Sequence, residues 1–368
     1  MNQKKLLIDD KTQNRQIGLD IIRTSAIFFV LSVHYFLYSN FYTTLEVKGI
    51  YSFILIFFRW LFYCCVPLFL LLTGYLNINK KYSCNYFKKL FFIFFDFTIT
   101  LIIIYLVSNF ALEKNYIFID FINDLLSFKS HWYLGMYIGL YLLIPFLNKL
   151  SNSLSKEEHK HLIITLLFIS GLSSVLSGFK ISNFEINIFS KYWNFAYPIL
   201  YYYIGLYIKK FKVTTNKWKL FSILILSLII ETLICYLYYY NSNFDWKLFD
   251  GYGSLITVIA SVSIFLLLYC INIKSTFISK VFTLFSKVSL IMYFLTKLYD
   301  PLFYAQLNTR YTFYQTTNRM LKYMPFITGI NIFTSFISSC ILYYIYNLIH
   351  KFLEKIIMEG NCEKNLHI

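Results

Sequence analysis

The sequence predicts an all-α integral membrane protein, a single polytopic bundle of about ten transmembrane helices with both termini in the cytoplasm. Three observations carry that expectation. Of the 368 residues, 58% are hydrophobic and only 14% charged, whereas soluble globular domains are roughly 45–50% apolar. Apolar runs of about 17–25 residues, each long enough to cross a hydrocarbon core of about 30 Å, recur almost from end to end. The basic residues are sorted by side. With the segments between runs counted alternately, one set holds 22 of the 34 Lys and Arg and the other holds 9, while Arg23, Arg59 and Lys297 lie inside runs. This is the positive-inside asymmetry. It accounts for the formal net charge of +16 without a nucleic-acid partner.

The runs fall at approximately 17–38, 50–76, 90–111, 132–148, 161–178, 192–208, 220–240, 253–272, 286–304 and 325–350. Helix is the expected form of each, because backbone in lipid must satisfy its own hydrogen bonds and no strand alternation is visible. The first run follows a long polar stretch, MNQKKLLIDDKTQNRQ, and has no small-residue cleavage site behind it, so it reads as a retained helix and not as a signal peptide. Arg59 sits in the second run, Glu231 in the seventh and Lys297 in the ninth. Charges at membrane depth are functional candidates by default, and Glu231 and Lys297 are candidates for a pair. No repeat, linker or low-complexity spacer divides the chain. The expected organisation is a cytoplasmic segment 1–16, one transmembrane domain 17–350 and a cytoplasmic tail 351–368.

The longer connections, at about 111–131, 178–191, 241–252 and 304–325, fall on the outer side by charge. They carry Tyr, Phe, Trp, Asn and Asp. Such groups suit stacking on and hydrogen bonding to sugar rings, and aromatics are equally expected at any membrane interface. The seven cysteines show no CxxC pair or metal-ligand spacing, and they read as small hydrophobes with no metal expected. His159 and His161 fall in a cytoplasmic loop and read as solvated.

The stretch GLDIIRTSAIFFVLSVHYF (18–36) keeps Arg23 and His34 inside the first apolar run. Eleven positions at about 100° each make three turns plus some 20°, a rise of ~16.5 Å, so both side chains face one side of the helix. Asp20 precedes Arg23 by three, near enough to pair with the guanidinium and lower its cost of burial. Arg23 alone is also explained by snorkelling to the headgroups, and His34 alone by helix packing. The shared face points to a polar stripe connecting the two sides of the membrane.

These residues resemble the opening of acyltransferase family three, membrane enzymes that O-acylate surface polysaccharides, whose first helix reads Leu-Asp-x-x-Arg, ten residues, His. Leu19, Asp20, Arg23 and His34 match. CVPLFLLLTGYL (65–76) is similar to the family's Val-Pro-Leu-Phe stretch ending in Ser/Thr-Gly-Tyr, and HWYLGMYIGLYLLIPFL (131–147) to its Trp-aromatic-Leu opening with a later Tyr and Pro. YYYIGLYIKK (201–210) resembles a later Gly-bearing helix with basic residues at its end. Two departures stand out. Thr296 and Lys297 replace a His that many members carry in a late segment, and Lys80, Lys81, Lys88 and Lys89 stand where members often carry an Arg-rich stretch. Lysine binds phosphate as a point charge without arginine's bidentate fork, and positive-inside charge explains these lysines equally well.

The resemblance implies an acyl-CoA donor, most simply acetyl-CoA, on the cytoplasmic side and a glycan or lipid-linked glycan acceptor on the outer side. It also implies location in a bacterial cytoplasmic (inner) membrane. His34 is the expected general base, with Arg23 and Asp20 completing the catalytic set; transient acylation of His34 is a variant. Arg23, Lys80, Lys81, Lys88 and Lys89 are the expected donor-binding residues, and His131, Trp132, Tyr141 and Glu231 the expected acceptor-side residues. Arg59 is a candidate to line the same cavity. The competing readings are a transporter or polymerase of lipid-linked oligosaccharides without acyl chemistry, and a relative that only binds and moves glycan.

Overall fold

The computed structural model describes residues 16–39, 41–43, 46–112, 116–176, 180–181, 184–185, 191–245, 251–306 and 316–364. The segment 1–15, residues 365–368 and parts of several connections between helices lie outside them. The chain folds as α1 (Ile17–Tyr38), α2 (Gly49–Tyr63), α3 (Cys65–Leu76), α4 (Cys84–Leu106), α5 (Phe118–Ser127), α6 (Trp132–Ser153), α7 (Lys156–Leu176), α8 (Tyr197–Phe211), α9 (Lys217–Tyr238), α10 (Leu255–Tyr269), α11 (Thr276–Asp300) and α12 (Thr317–Lys364). Starts follow local chemistry. The Ser83 hydroxyl accepts from the Tyr86 N–H at α4, and the Asn216 side chain from the Trp218 N–H at α9. Two-residue strands, Lys180–Ile181 and Phe184–Glu185, form one antiparallel pair.

Among the described residues, seven helices are long and apolar enough to cross a membrane. The expected runs at 161–178, 192–208 and 253–272 became α7, α8 and α10, which are not among them. Two have a simple reason. α8 and α10 have 15 residues each, about 22 Å of helix, and short helices suffice where protein and not lipid surrounds them. The run 50–76 contains two helices. It breaks at Cys64 because Pro67 has no N–H for the Tyr63 carbonyl. At the far end, α12 runs through Lys351 to Lys364 with no break where the tail was expected to begin.

α3 and α8 cross at backbone contact. A Cβ on Gly205 would overlap the Leu71 carbonyl oxygen, and one on Gly74 the Tyr202 carbonyl oxygen. Small residues permit such approach, and dispersion between the two backbones holds the pair where lipid supplies no hydrophobic drive. Asn148 ties this crossing to α6. Its Nδ2 donates to the Asn77 and Lys80 carbonyls at 2.8 and 2.9 Å, and its Oδ1 accepts from the Tyr202 hydroxyl at 2.5 Å.

His159 corrects the expectation of a solvated loop residue. It lies at the start of α7, fully buried, edge-on to Tyr203, Tyr207 and Phe211, and neither ring nitrogen has a partner among the described residues. Burial first, and the Lys210 ammonium second, push its pKa down to about 4.

Two outcomes follow. Gly205→Ala should cost about 1–3 kcal/mol through overpacking, read as a lower thermal midpoint in detergent; an unchanged midpoint would remove the α3–α8 contact from the account. For His159, the unfolded imidazole takes its proton near pH 6.5 and the folded one only near 4, so stability is unaffected above that window and falls as pH drops through it. His159→Phe should reduce the loss of thermal stability between pH 7 and pH 5.

Candidate active site

The site is built by two helices that run side by side in the same direction. From one end to the other, Thr283 donates to Asp20 at 3.2 Å, Arg23 Nη1 donates to Ser286 at 2.7 Å, the Tyr304 hydroxyl donates to the Leu31 carbonyl at 2.7 Å, and His34 Nδ1 meets Asp300 Oδ2 at 2.6 Å. Each contact joins α1 to α11 or to the π-helical turn Pro301–Gln306 that follows it. π-turns re-aim the chain and recur at functional sites.

The carboxylate of Asp300 is almost fully buried, and its other oxygen accepts from Asn331 Nδ2 of α12 at 2.8 Å. Asn331 in turn accepts from Ser335. A carboxylate that accepts on both oxygens holds the imidazole proton on Nδ1, which leaves Nε2 of His34 as the acceptor.

Arg23 and His34 line one cavity of about 810 Å³. Near the N-terminal end of α1 its wall carries Arg23, Lys89 and Lys287, a cluster of three cations of which the two lysines are exposed. Towards the other end, around and beyond His34, it carries Tyr42, Arg59, Tyr63, Trp132 and Tyr252. Three of these rings stack in series, Tyr63 on Tyr252 at 4.3 Å and Tyr252 on Trp132 at 5.8 Å. Between the ends the wall is apolar and aromatic, with Val30, Phe69, Leu72, Tyr133 and Tyr293.

The other expected site residues are placed as follows. Asp20 is buried against α11, 4.0 Å from Arg23, and does not line the cavity. Lys80, Lys81 and Lys88 are exposed away from it; of that group Lys89 alone reaches it. Trp132 lines the wall, whereas His131 is sealed from it, its Nε2–H donating to the Phe294 carbonyl at 2.9 Å among Phe97, Tyr293 and Phe294. Tyr141 is buried in a stack with Tyr86 at 4.2 Å. Glu231 is buried off the cavity, accepts from Thr257 at 3.1 Å and lies within electrostatic reach of Arg59. The pairing of Glu231 with Lys297 is overturned. Lys297 instead pairs with Asp124 and contacts the Tyr116 hydroxyl, pinning α5 to α11.

A family model described as an acyltransferase domain matches residues 16–345, nearly the whole chain. The protein belongs to acyltransferase family three. Neither a curated protein nor a solved structure matches it. The matched span contains every described residue of the cavity wall.

Sequence reasoning missed Asp300 and Lys287 in this acyltransferase. A signal for the first existed, since Asp300 is a carboxylate within the ninth apolar run and the rule that singled out Glu231 and Lys297 applies to it equally. Replacing it should disable the imidazole without unfolding the bundle. Asp300→Asn is expected to lower acyl transfer by about 10²–10⁴-fold, the range general-base catalysis supplies, at normal membrane abundance. Retention of more than a third of the wild-type rate would remove Asp300 from the site.

Proposed function

We propose that the protein transfers an acyl group, most simply acetyl, from acyl-CoA to a hydroxyl of a cell-surface polysaccharide or its lipid-linked precursor. The observation that carries this reading is that Arg23 and His34 line the same cavity, with exposed cations at one end and aromatic rings at the other. The three-cation end suits the phosphates of CoA. The apolar middle suits the slender pantetheine arm, and the rise of ~16.5 Å between Arg23 and His34 gives that arm a distance to cover. The aromatic end suits a sugar, whose C–H faces stack on rings.

In this reading the donor enters from the cytoplasm, the side that positive-inside charge assigns to the chain termini. His34 Nε2 takes the acceptor hydroxyl's proton as that oxygen attacks the thioester carbonyl carbon. The carbonyl electron pair moves onto oxygen and returns as the carbon–sulfur bond breaks. The departing CoA thiolate takes the proton back from the imidazolium. Asp300 holds the ring and balances its charge during the interval when it is protonated.

Membranes containing the protein should move labelled acetyl from acetyl-CoA to glycan, and His34→Ala should abolish the transfer at equal protein level. Glycan that carries no acyl group in either case, yet is exported normally, would contradict the reading and favour a transport role.

A further inference from the structure

Among the described residues, Arg59 is the one arginine or lysine of the cavity wall outside the Arg23 end. It is 3% exposed. Its guanidinium is fixed from several sides, with Cζ 3.9 Å from the centre of the Trp60 ring, 4.4 Å from Tyr63 and 5.7 Å from Phe244, while Nε donates to the Tyr42 hydroxyl at 3.3 Å. Nη1 is buried and has no hydrogen-bond partner among the described residues. Leaving a guanidinium N–H unpaired in such a place costs free energy, which is repaid where an oxygen arrives to accept it.

The depth of Arg59 follows from ring packing. Phe62 of α2 meets both Phe29 and Phe36 of α1, at 5.5 and 6.5 Å, which puts it level with the middle of that interval. α1 and α2 run in opposite directions, so Arg59, three residues before Phe62, lies level with His34 to within about one turn, ~5 Å along the axis. Glu231, a buried carboxyl, lies within electrostatic reach of it. A guanidinium held at this level with an unpaired Nη1 suits an oxygen that is neutral in the ground state and gains charge only in transit.

We propose that Arg59 is a further catalytic residue, donating from its guanidinium to the thioester carbonyl oxygen as that oxygen becomes negative. The inference rests on the acyl-transfer reading above and adds the electrophilic half of the step. As the hydroxyl oxygen bonds to the carbonyl carbon, the carbonyl pair moves onto oxygen beside Arg59 and the hydroxyl proton goes to His34. When the carbon–sulfur bond breaks the pair returns, and the thiolate leaves with the proton. Aromatic walls hold the guanidinium in place beforehand, so little reorganisation is needed at the moment of reaction.

The test uses Arg59→Gln and Arg59→Lys in the full-length protein. Two quantities are read in membrane vesicles carrying the cell's own glycan: the dissociation constant of acetyl-CoA, and the single-turnover rate of acetyl transfer per acetyl-CoA-binding site. Counting per binding site scores even a variant that folds in low yield. Arg59→Gln should slow transfer by about 10²–10³-fold, the usual loss for one oxyanion donor, with the dissociation constant within threefold of wild type. Arg59→Lys should fall between, keeping a charge but losing the planar fork. Transfer within threefold of wild type overturns the proposal. So does a loss that extra glycan restores, which would make Arg59 an acceptor-binding residue, and so does abolished acetyl-CoA binding in both variants, which would make it a packing residue. Wild-type protein that transfers no acetyl would instead sink the acyl-transfer reading itself.

Discussion

The structure depends on the alignment of α1 with α11. A helix carrying an arginine, an aspartate and a histidine in an apolar membrane segment is costly unless a neighbour answers each group, and α11 answers all three through Ser286, Thr283 and Asp300. The contacts lie in sequence order along both helices, so a slip of one turn in either would break every one together. That sets the register of the pair. It also keeps the polar face turned inwards, because the same residues facing lipid would each cost several kcal/mol, roughly 2.5–3.5 for a charge at mid-depth.

The remaining elements act on that pair in turn. α12 supplies Asn331, which occupies the second oxygen of Asp300. α2 runs antiparallel to α1 and brings Arg59 to the level of the imidazole, while α6 contributes Trp132 to the far wall. The close α3–α8 crossing places Thr73 and Leu72 along the cavity. Away from the cavity, Asp124 with Lys297 and Asp96 with His350, the latter at 2.8 Å, join α5 to α11 and α4 to α12. Neither pair lines the cavity.

How much was legible in the sequence follows from how far each feature reaches along the chain. The common face of Arg23 and His34 is a matter of helical pitch within eleven residues, so periodicity alone reveals it. Asp300 is 266 positions from His34, and nothing local says which helix will meet which. Lys297 illustrates the same limit. It was read against Glu231, another buried charge, whereas its partner lies on the short amphipathic α5, which no apolar run marks. His131 and Tyr141 sit in the same recognisable stretch as Trp132, yet Trp132 faces the cavity while His131, in the 3-10 turn Lys129–His131 before α6, and Tyr141, on α6, face the core. Apolar length likewise does not say how long a helix the run will form, so the runs at 220–240 and 253–272, of nearly equal length, fold as α9, with 22 residues, and α10, with 15.

The central claim is that one polar stripe on α1 lines a single path from a cationic mouth to the imidazole. An experimental density map of the protein with CoA bound tests it most directly. The account predicts the CoA phosphates among Arg23, Lys89 and Lys287, with the thiol sulfur reaching hydrogen-bonding distance of the His34 side chain. CoA seated outside this cavity, or His34 turned towards the surrounding lipid, would contradict it.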